Sequence, residues 1–332
     1  MPTFSVVVPV YNRPSELAEL LESLASQVGS PNLEIIIVED GSQTLSDKVA
    51  ESFASRLNIS YVSQANTGPA IARNNGALSA HADYVFFFDS DCTLPSDFFS
   101  RVEAQLSSNE YYCVGTPDHS HPSFTPLQKA ISYSMTSLFT TGGIRGGSKK
   151  MDVFYPRSYS MCIRSDVFRS VGGFAPMRYG EDIDLSMRIR EAGYTLALIA
   201  DTYVYHKRRT TFRAFFKQTF CSGTARIDIA SRHVGALKLV HALPTLAVAL
   251  LALFVVLALF VSPLWLLPLV AYAALIFVDS LRVNKSPDVA LLSIITSAIQ
   301  IVGYGLGFIY NFFVRHILRR SESVAFQHTL YK

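Results

Sequence analysis

The chain has 332 residues, a formal net charge of +3 and 17% charged side chains, while 49% of its residues are hydrophobic. So small a net charge excludes the strongly basic footprint of a nucleic-acid-binding protein, and no nucleic-acid partner is expected. Soluble domains carry about a quarter charged residues, so this chain is short of charge. The deficit lies in the C-terminal third, where residues 242–278 contain no charged side chain.

Four cysteines stand at positions 92, 113, 162 and 221, and none forms a CxxC pair. This spacing excludes zinc ribbons and thioredoxin-like motifs and is typical of a reducing compartment. The first residues carry neither the basic segment nor the cleavage site of a signal peptide. We therefore expect about the first 240 residues to lie in the cytoplasm.

Short apolar runs alternate with helical patterns at the start of the chain. Buried strands are predicted over residues 4–10, 34–38, 59–63 and 84–88, and helices over residues 14–28, 47–57 and 70–80. This alternation predicts a Rossmann-like α/β domain, with a mostly parallel sheet and helices on both faces. Ligands bind at the carboxyl ends of strands in such sheets. The polar clusters at residues 11–12, 39–40 and 89–91 follow three of these strands and are expected to converge there.

The first domain is predicted to extend over residues 1–206. Residues 115–160 are predicted to be irregular, with a mobile basic loop at residues 142–150. A helix is predicted at residues 181–192 and a strand at residues 196–200.

The sequence changes character at residue 207. Phenylalanines and basic side chains share a helical pattern within residues 207–240, which is typical of an amphipathic helix at a membrane interface. Residues 241–332 follow as a transmembrane region with a basic tail. Its apolar segments at residues 242–261, 263–281 and 289–314 are each close to the ~20 residues that cross a bilayer. We expect a multi-pass protein of the inner cell membrane, in contact with lipid; the alternative is one very hydrophobic core domain.

The third apolar segment leaves the topology open. Three crossings would place Arg282 and Lys285 inside, as the positive-inside rule requires, but would leave the basic tail after residue 314 outside. The segment also contains Gly303, Gly305 and Gly307. It is therefore either a full crossing or a broken, re-entrant helix that returns the tail to the cytoplasm.

Asp89-Ser90-Asp91 directly follows an apolar strand. Two carboxylates at this spacing on a loop can hold a hard divalent cation and leave positions for substrate phosphates. Such a cation would neutralise the charge that develops on a diphosphate leaving group. The alternative is a solvated turn, in which aspartate is common.

Three further positions carry candidate chemistry. Asp182, beside Glu181 at the start of a helix, suits a general base that activates a sugar hydroxyl, although acids there also complement the helix dipole. Arg73 suits a phosphate or a base carbonyl, unless it is a surface arginine. His206 is either a metal or phosphate ligand or a structural histidine.

Five motifs in order resemble glycosyltransferase family 2, which has the inverting GT-A fold. They begin at Ser5 (SVVVPVYN), Val38 (VEDGS), Gly68 (GPAIARN), Phe88 (FDSD) and Gly180 (GEDIDL). The resemblance covers about residues 1–226. It implies a membrane-anchored hexosyltransferase of polysaccharide or glycolipid biosynthesis that uses a nucleotide-sugar, with UDP as the expected nucleotide, and Mn²⁺ or Mg²⁺.

The resemblance also implies roles for individual residues. Tyr11 would stack on the nucleobase, Asp40 would hydrogen-bond it, and Arg73 would reach the base or the diphosphate. Asp89 would contact the ribose, Asp91 would hold the metal, and Asp182 would be the catalytic base. The nucleotide-sugar site would comprise Pro9, Tyr11, Glu39, Asp40, Arg73, Asp89 and Ser90; the metal site Asp91, Asp89 and His206; and the acceptor or diphosphate side Glu181, Gln218 and Arg226.

The acceptor is expected to be a hydroxyl on a lipid-linked saccharide or other membrane-associated glycan. Relatives that glycosylate polyprenyl phosphate tend to carry a DADLQ-like segment, whereas this chain has DSDCT at residues 89–93. A phosphate acceptor needs no base, and Asp182 is a good candidate for one. Two alternatives stay open: a polyprenyl-phosphate glycosyltransferase, and a non-catalytic membrane scaffold or transporter subunit. An oligomer is compatible with either.

Overall fold

The structure, a computed structural model, describes residues 2–29, 32–141, 154–177 and 179–320. The strands are β1 Phe4–Val10, β2 Leu33–Asp40, β3 Asn58–Gln64, β4 Tyr84–Phe87, β5 Cys92–Thr93, β6 Cys113–Gly115, β7 Asp118–His119, β8 Met161–Arg164, β9 Leu196–Leu198 and β10 Val204–His206. The helices are α1 Pro14–Ala25, α2 Asp47–Phe53, α3 Pro69–Leu78, α4 Phe98–Ser108, α5 Pro126–Thr136, α6 Leu138–Thr141, α7 Ser165–Ser170, α8 Glu181–Glu191, α9 Phe212–Arg232, α10 Leu243–Phe260, α11 Leu267–Asn284 and α12 Pro287–Phe312.

The described residues divide into two compact units. The first contains residues 2–119 and 154–206, and the second contains residues 120–141 and 207–320.

The first unit is built on a seven-stranded sheet in the order β3-β2-β1-β4-β8-β6-β9. β1 runs parallel to both β2 and β4, and β2 runs parallel to β3. The central strands are buried on both sides, as continuously apolar strands of a parallel sheet must be. On one face α1 buries Leu17, Leu20, Leu21 and Leu24, and α3 packs on the other face. The predicted Rossmann-like α/β fold is confirmed.

Residues 115–160 contain more regular structure than the sequence analysis predicted. α5 begins with a capping box, in which the side chains of Thr125 and Gln128 each accept a hydrogen bond from the backbone N–H of the other residue. β8 pairs antiparallel with β4 and β6, so it departs from the parallel pattern used for the prediction. The predicted basic loop at residues 142–150 lies outside the described residues.

α5 belongs to the second unit rather than to the first domain. Its Ile131 and Met135 pack against Phe215 of α9 in a small apolar cluster. The Thr296 hydroxyl of α12 also donates to the Ala130 carbonyl over 3.0 Å. Residues 120–141 therefore pack with the second unit, although they precede residue 206 in the sequence.

Three helical segments of the second unit are long and apolar enough to cross a membrane. They are Leu239–Phe260, Pro263–Asn284 and Pro287–Ile317, with mean hydropathies of 2.8, 2.0 and 1.9. The second contains the carboxylate of Asp279, which accepts a hydrogen bond of 2.6 Å from the Tyr133 hydroxyl. Length and composition thus support association of this unit with a membrane.

α12 is one continuous helix of 26 residues, so the alternative of a helix broken at its glycines is wrong. The glycines instead allow close approach of neighbouring helices. A Cβ atom on Gly307 would lie 2.0 Å from the Phe220 carbonyl oxygen, and one on Gly303 would lie 2.1 Å from the Thr219 hydroxyl. Small residues at helix crossings are a usual means of such packing.

α9 is amphipathic, and one side of it packs on α12. Phe215 and Thr219 are buried, whereas Phe212 and Phe216 are exposed. Near the C-terminal end of α9 the buried Asp228 carboxylate pairs with Arg315 at 2.9 Å. Part of the apolar surface that predicted a membrane-interface helix is therefore used within the protein.

We predict that Gly307→Ala lowers the melting temperature of the full-length protein in detergent by several degrees. Alanine favours helix over glycine by about 1 kcal/mol, but here its methyl group would meet the backbone of α9, and overpacking costs about 1–3 kcal/mol. Thermal unfolding measures the change. Ala249→Leu, on an exposed position of α10, is the control and should leave the melting temperature nearly unchanged. A Gly307→Ala protein as stable as wild type would contradict the close contact.

Candidate active site

The carboxyl ends of β2, β1 and β4 lie side by side, and the three predicted polar clusters follow them. Asn12 links two of the clusters. Its side-chain oxygen accepts hydrogen bonds from the backbone N–H groups of Gln43 and Thr44, at 2.7 and 3.0 Å. Its own N–H donates to the Ser42 hydroxyl over 2.7 Å. The loops after β1 and β2 are therefore joined, with half-buried Tyr11 at the start of the first.

Glu39 and Asp40 are both engaged within the protein. Fully buried Glu39 accepts hydrogen bonds from the hydroxyls of Ser42 and Tyr61 and from the Ser46 N–H. Burial, followed by this contact with Glu39, raises the pKa of Tyr61. Glu39 thus fixes the turn after β2.

Asp40 holds the loop that leads into α3. Its Oδ1 accepts from the Gln64 amide at 2.8 Å and from the Thr67 N–H at 2.9 Å. Its Oδ2 accepts from the Gly68 N–H, also at 2.9 Å. A carboxylate oxygen can accept two hydrogen bonds, so Oδ2 retains capacity for a further donor.

His206 reaches the Asp89–Asp91 loop through strand pairing. β10 pairs antiparallel with β5, which sets His206 opposite Cys92. As a result, His206 Nε2 lies 3.2 Å from Asp91 Oδ1 and 3.9 Å from Asp89 Oδ2. The His206 ring also packs on Tyr159, with ring centroids 4.8 Å apart. Ser90, between the two aspartates, is buried.

This cluster fits a divalent cation. Side-chain ligand atoms of Asp91, Cys92 and His206 lie within 4.8 Å of one another. Burial raises the pKa of the Cys92 thiol well above its ordinary value, so the neutral thiol is a poor ligand for a hard cation. Two carboxylates and an imidazole remain, and within the described part of the chain His206 Nδ1 is buried without a hydrogen-bond partner. Oxygen-rich sets of this kind suit Mg²⁺ and Mn²⁺.

Arg73 is buried and bridges two parts of the site. One guanidinium nitrogen donates to Asp89 at 2.6 Å, and another donates to Glu181 at 2.9 Å. The Phe174 ring faces the guanidinium, and its centroid lies 5.5 Å from Arg73 Cζ. Although burial opposes the charge, the two carboxylates raise the pKa of Arg73. From the sequence, this side chain is expected to reach the base or the diphosphate. In the structure its two terminal nitrogens contact carboxylates.

Glu181, at the other end of this bridge, and Asp182 are the first two residues of α8. Gly180, at φ 82°, lets the chain turn into the helix. Burial and the neighbouring Asp182 raise the pKa of Glu181 to about 7. Asp182 is less buried, with 13% of its side chain exposed, and its Oδ1 lies 3.5 Å from Arg157.

Two arginines of this site were not predicted from the sequence. Arg13, after β1, donates a hydrogen bond to Asp91 Oδ2. Arg157 pairs with Asp182 across 25 positions of the sequence. Arg13 stands two residues after Tyr11, and this proximity to a predicted site residue is a signal in the sequence. Nothing in the sequence around Arg157 points to Asp182.

The remaining predicted residues have varied placements. Pro9 is in β1 and is half-buried. Gln218 and Arg226 lie on α9 in the second unit, and both are half-buried. An acceptor-side role for these two residues stays a prediction.

The sequence profile of the family described as Glycosyl transferase family 2 matches residues 5–171, half of the chain. Among curated proteins, the uncharacterized glycosyltransferase EpsJ of Bacillus subtilis is 28% identical over 215 residues, which are 62% of this chain and 62% of EpsJ. The match therefore spans less than two thirds of that relative. The succinoglycan biosynthesis protein ExoA of Rhizobium meliloti is 26% identical over 258 residues, 76% of this chain and 77% of ExoA.

A solved structure shares the fold. Mannosyltransferase PcManGT from Pyrobaculum calidifontis, in complex with GDP-Man and Mn²⁺, superposes with a TM-score of 0.62. It is 19% identical to this chain, and the superposition covers 90% of this chain and 87% of PcManGT. The protein is thus a transferase with the GT-A fold, and it belongs to glycosyltransferase family 2.

Proposed function

We propose that this protein is an inverting, metal-dependent glycosyltransferase that moves a sugar from a nucleotide-sugar to a hydroxyl of a membrane-associated acceptor. The observation that carries this proposal is the Arg73 bridge. It joins Asp89, in the loop that suits a cation and a diphosphate, to Glu181, the neighbour of Asp182. A candidate general base is thereby tied to a candidate donor site.

The proposed donor site lies at the ends of β1, β2 and β4. Tyr11 would supply a ring face for the base, beside Pro9. Asp40 Oδ2 would accept from an imino N–H of the base, since it retains capacity for one more donor. Asp89 and Ser90 would lie at the ribose, while Glu39 would act indirectly by holding the turn after β2. UDP is the proposed nucleotide, on the family resemblance.

Asp91, Asp89 and His206 would hold Mn²⁺ or Mg²⁺. When bound, the cation would neutralise the charge of the diphosphate leaving group. Within the protein, Arg13 contacts Asp91 and Arg73 contacts Asp89. These arginines offset the repulsion between the two carboxylates, which lie close together in the sequence and share His206.

Asp182 would accept the proton of the acceptor hydroxyl. As that proton leaves, the acceptor oxygen forms a bond to the anomeric carbon of the sugar, and the bond from that carbon to the diphosphate breaks. The bonding electron pair leaves with the nucleoside diphosphate. Attack from the side opposite the leaving group inverts the anomeric configuration. A positioned general base contributes about 10²–10⁴-fold to such a step.

The protein is proposed to act at the inner cell membrane, with the first unit on the cytoplasmic side. The three apolar segments support anchoring in a bilayer. Arg282, in the last turn of the second segment, and Lys285, directly after it, would then also be cytoplasmic.

We predict that Asp182→Asn lowers kcat by about 10²–10⁴-fold with a sugar-hydroxyl acceptor, because the amide cannot take up the proton. Donor-dependent thermal stabilisation should be retained. Octyl glycosides serve as acceptor probes, and release of nucleoside diphosphate is measured. Asp201→Asn, at an exposed position, is the matched control. Undiminished turnover of Asp182→Asn with polyprenyl phosphate, combined with none on octyl glycosides, would favour the phosphate-acceptor alternative.

We predict that Asp91→Asn removes most of the thermal stabilisation given by Mn²⁺ together with a nucleotide-sugar. A ligand present at 100 times its Kd stabilises the native state by about 2.7 kcal/mol, so loss of a carboxylate ligand is visible as a smaller shift in melting temperature. UDP-glucose, UDP-N-acetylglucosamine and GDP-mannose form the panel, each with Mn²⁺, Mg²⁺ or EDTA. Asp201→Asn again serves as control. Equal, metal-independent shifts in wild type and Asp91→Asn would overturn the metal assignment.

A further inference from the structure

The segment just before β8 contacts the Asp182 carboxylate through two successive residues. A guanidinium nitrogen of Arg157 lies 3.5 Å from Asp182 Oδ1. The backbone N–H of Ser158 donates to Asp182 Oδ2 at 3.4 Å. Oδ1 also accepts from the N–H of Ile183, at 2.8 Å. Each oxygen therefore has a contact in the protein, and the orientation of the carboxylate is restrained.

The segment itself is anchored on both sides. Arg157 is extended and leads into a 3₁₀ turn at Ser158–Ser160. The buried Ser160 hydroxyl hydrogen-bonds the Thr116 hydroxyl over 2.5 Å, just after β6. The Pro156 carbonyl accepts from the Ser186 hydroxyl of α8 at 3.2 Å. This second contact ties the segment to the helix that carries Asp182, so the Arg157 backbone keeps its distance from Asp182.

Asp182 is surrounded by charge. Glu181 precedes it on α8, and the two carboxyl groups interact unfavourably when both are ionised. The cations that face Asp182 are Arg157 and, from α3, Arg73, whose terminal nitrogens contact Asp89 and Glu181. At 3.5 Å the Arg157 contact is longer than a normal hydrogen bond, so it acts chiefly through charge.

We propose that Arg157 is a positioning residue for the reaction: with the Ser158 N–H, it holds the Asp182 carboxylate in the orientation of a base. This inference rests on the proposed function, in which Asp182 takes the proton of the acceptor. Loss of Arg157 should leave this carboxylate less well oriented towards the acceptor hydroxyl. We therefore expect kcat to fall while the binding of the donor is unchanged.

The test compares kcat and the donor KM of full-length wild type, Arg157→Gln and Arg157→Lys. Nucleoside diphosphate release is measured with UDP-glucose, UDP-N-acetylglucosamine and GDP-mannose, with Mn²⁺ and octyl glycosides as acceptors. Arg157→Gln should lower kcat by up to about 10²-fold, the cost of a small misplacement of a reacting group, while the donor KM stays close to that of wild type. Arg157→Lys keeps the charge and should recover part of the lost kcat.

Arg190→Gln is the matched control. Arg190 is an exposed arginine of α8 that contacts the Tyr155 hydroxyl at 3.4 Å, and its loss changes the net charge equally. Its kcat and donor KM should equal those of wild type. A merely structural role of Arg157 would lower the melting temperature or raise the donor KM along with the loss of kcat, and that result would overturn the inference.

Asp182→Asn distinguishes a failure of the proposed function from a failure of the proposed role of Arg157. If this variant stays active, the proposed function fails and the inference fails with it. If Asp182→Asn is inactive while Arg157→Gln has the wild-type kcat, the proposed function stands and the role of Arg157 alone is refuted. Melting temperatures and donor-induced shifts of each variant identify any loss that comes from unfolding.

Discussion

The site depends on a single buried guanidinium. Arg73 joins Asp89 to Glu181, residues 92 positions apart, and it is itself held by α3, which sits close against the sheet because Gly76 has no side chain. A Cβ atom on Gly76 would lie 2.4 Å from a methyl group of Val7 in β1. Removing one partner of such a buried ion pair typically costs about 3–5 kcal/mol, since the other charge stays behind without compensation. The distance between the Asp89–Asp91 loop and the start of α8 is thus fixed by this contact, because breaking it would be costly.

The same bridge makes a dense group of carboxylates tolerable. Asp89, Asp91, Glu181 and Asp182 all lie at this edge of the sheet, and like charges at short range raise one another's pKa values and oppose folding. Three arginines from separate segments form ion pairs with these carboxylates: Arg13 after β1, Arg73 on α3 and Arg157 before β8. A site that receives a cation and a diphosphate needs negative charge in one place and positive charge beside it. The arginines hold the carboxylates in place in the free protein.

The second unit is held together by close contacts between helices and by a buried ion pair. α12 is its central helix, and α5, α9 and α10 approach it closely at glycines and small hydroxyl-bearing residues. Close backbone contact and the buried Asp228–Arg315 pair hold these helices together. Much of the apolar surface of α10 and α11 is therefore left outward, where it can meet lipid. The amphipathic pattern of α9 is consistent with this arrangement, because one of its faces is used by α12.

The parallel α/β core, the positions of its first strands along the chain, the family and the apolar segments could be predicted from the sequence, because local periodicity and motifs close to strand ends record them. The sequence also pointed to Asp89, Asp91, Asp182 and His206. The partners of these residues emerge from the folded chain: the β5–β10 pairing that brings His206 to Asp91, the fork of Arg73, and the contact of Arg157 with Asp182. The packing of α5 in the second unit likewise follows from the fold. These contacts join residues far apart in the chain and leave no periodic trace in it. The physical reason is that a side chain's charge partner is set by where strands and helices cross in space, which no local pattern of residues records.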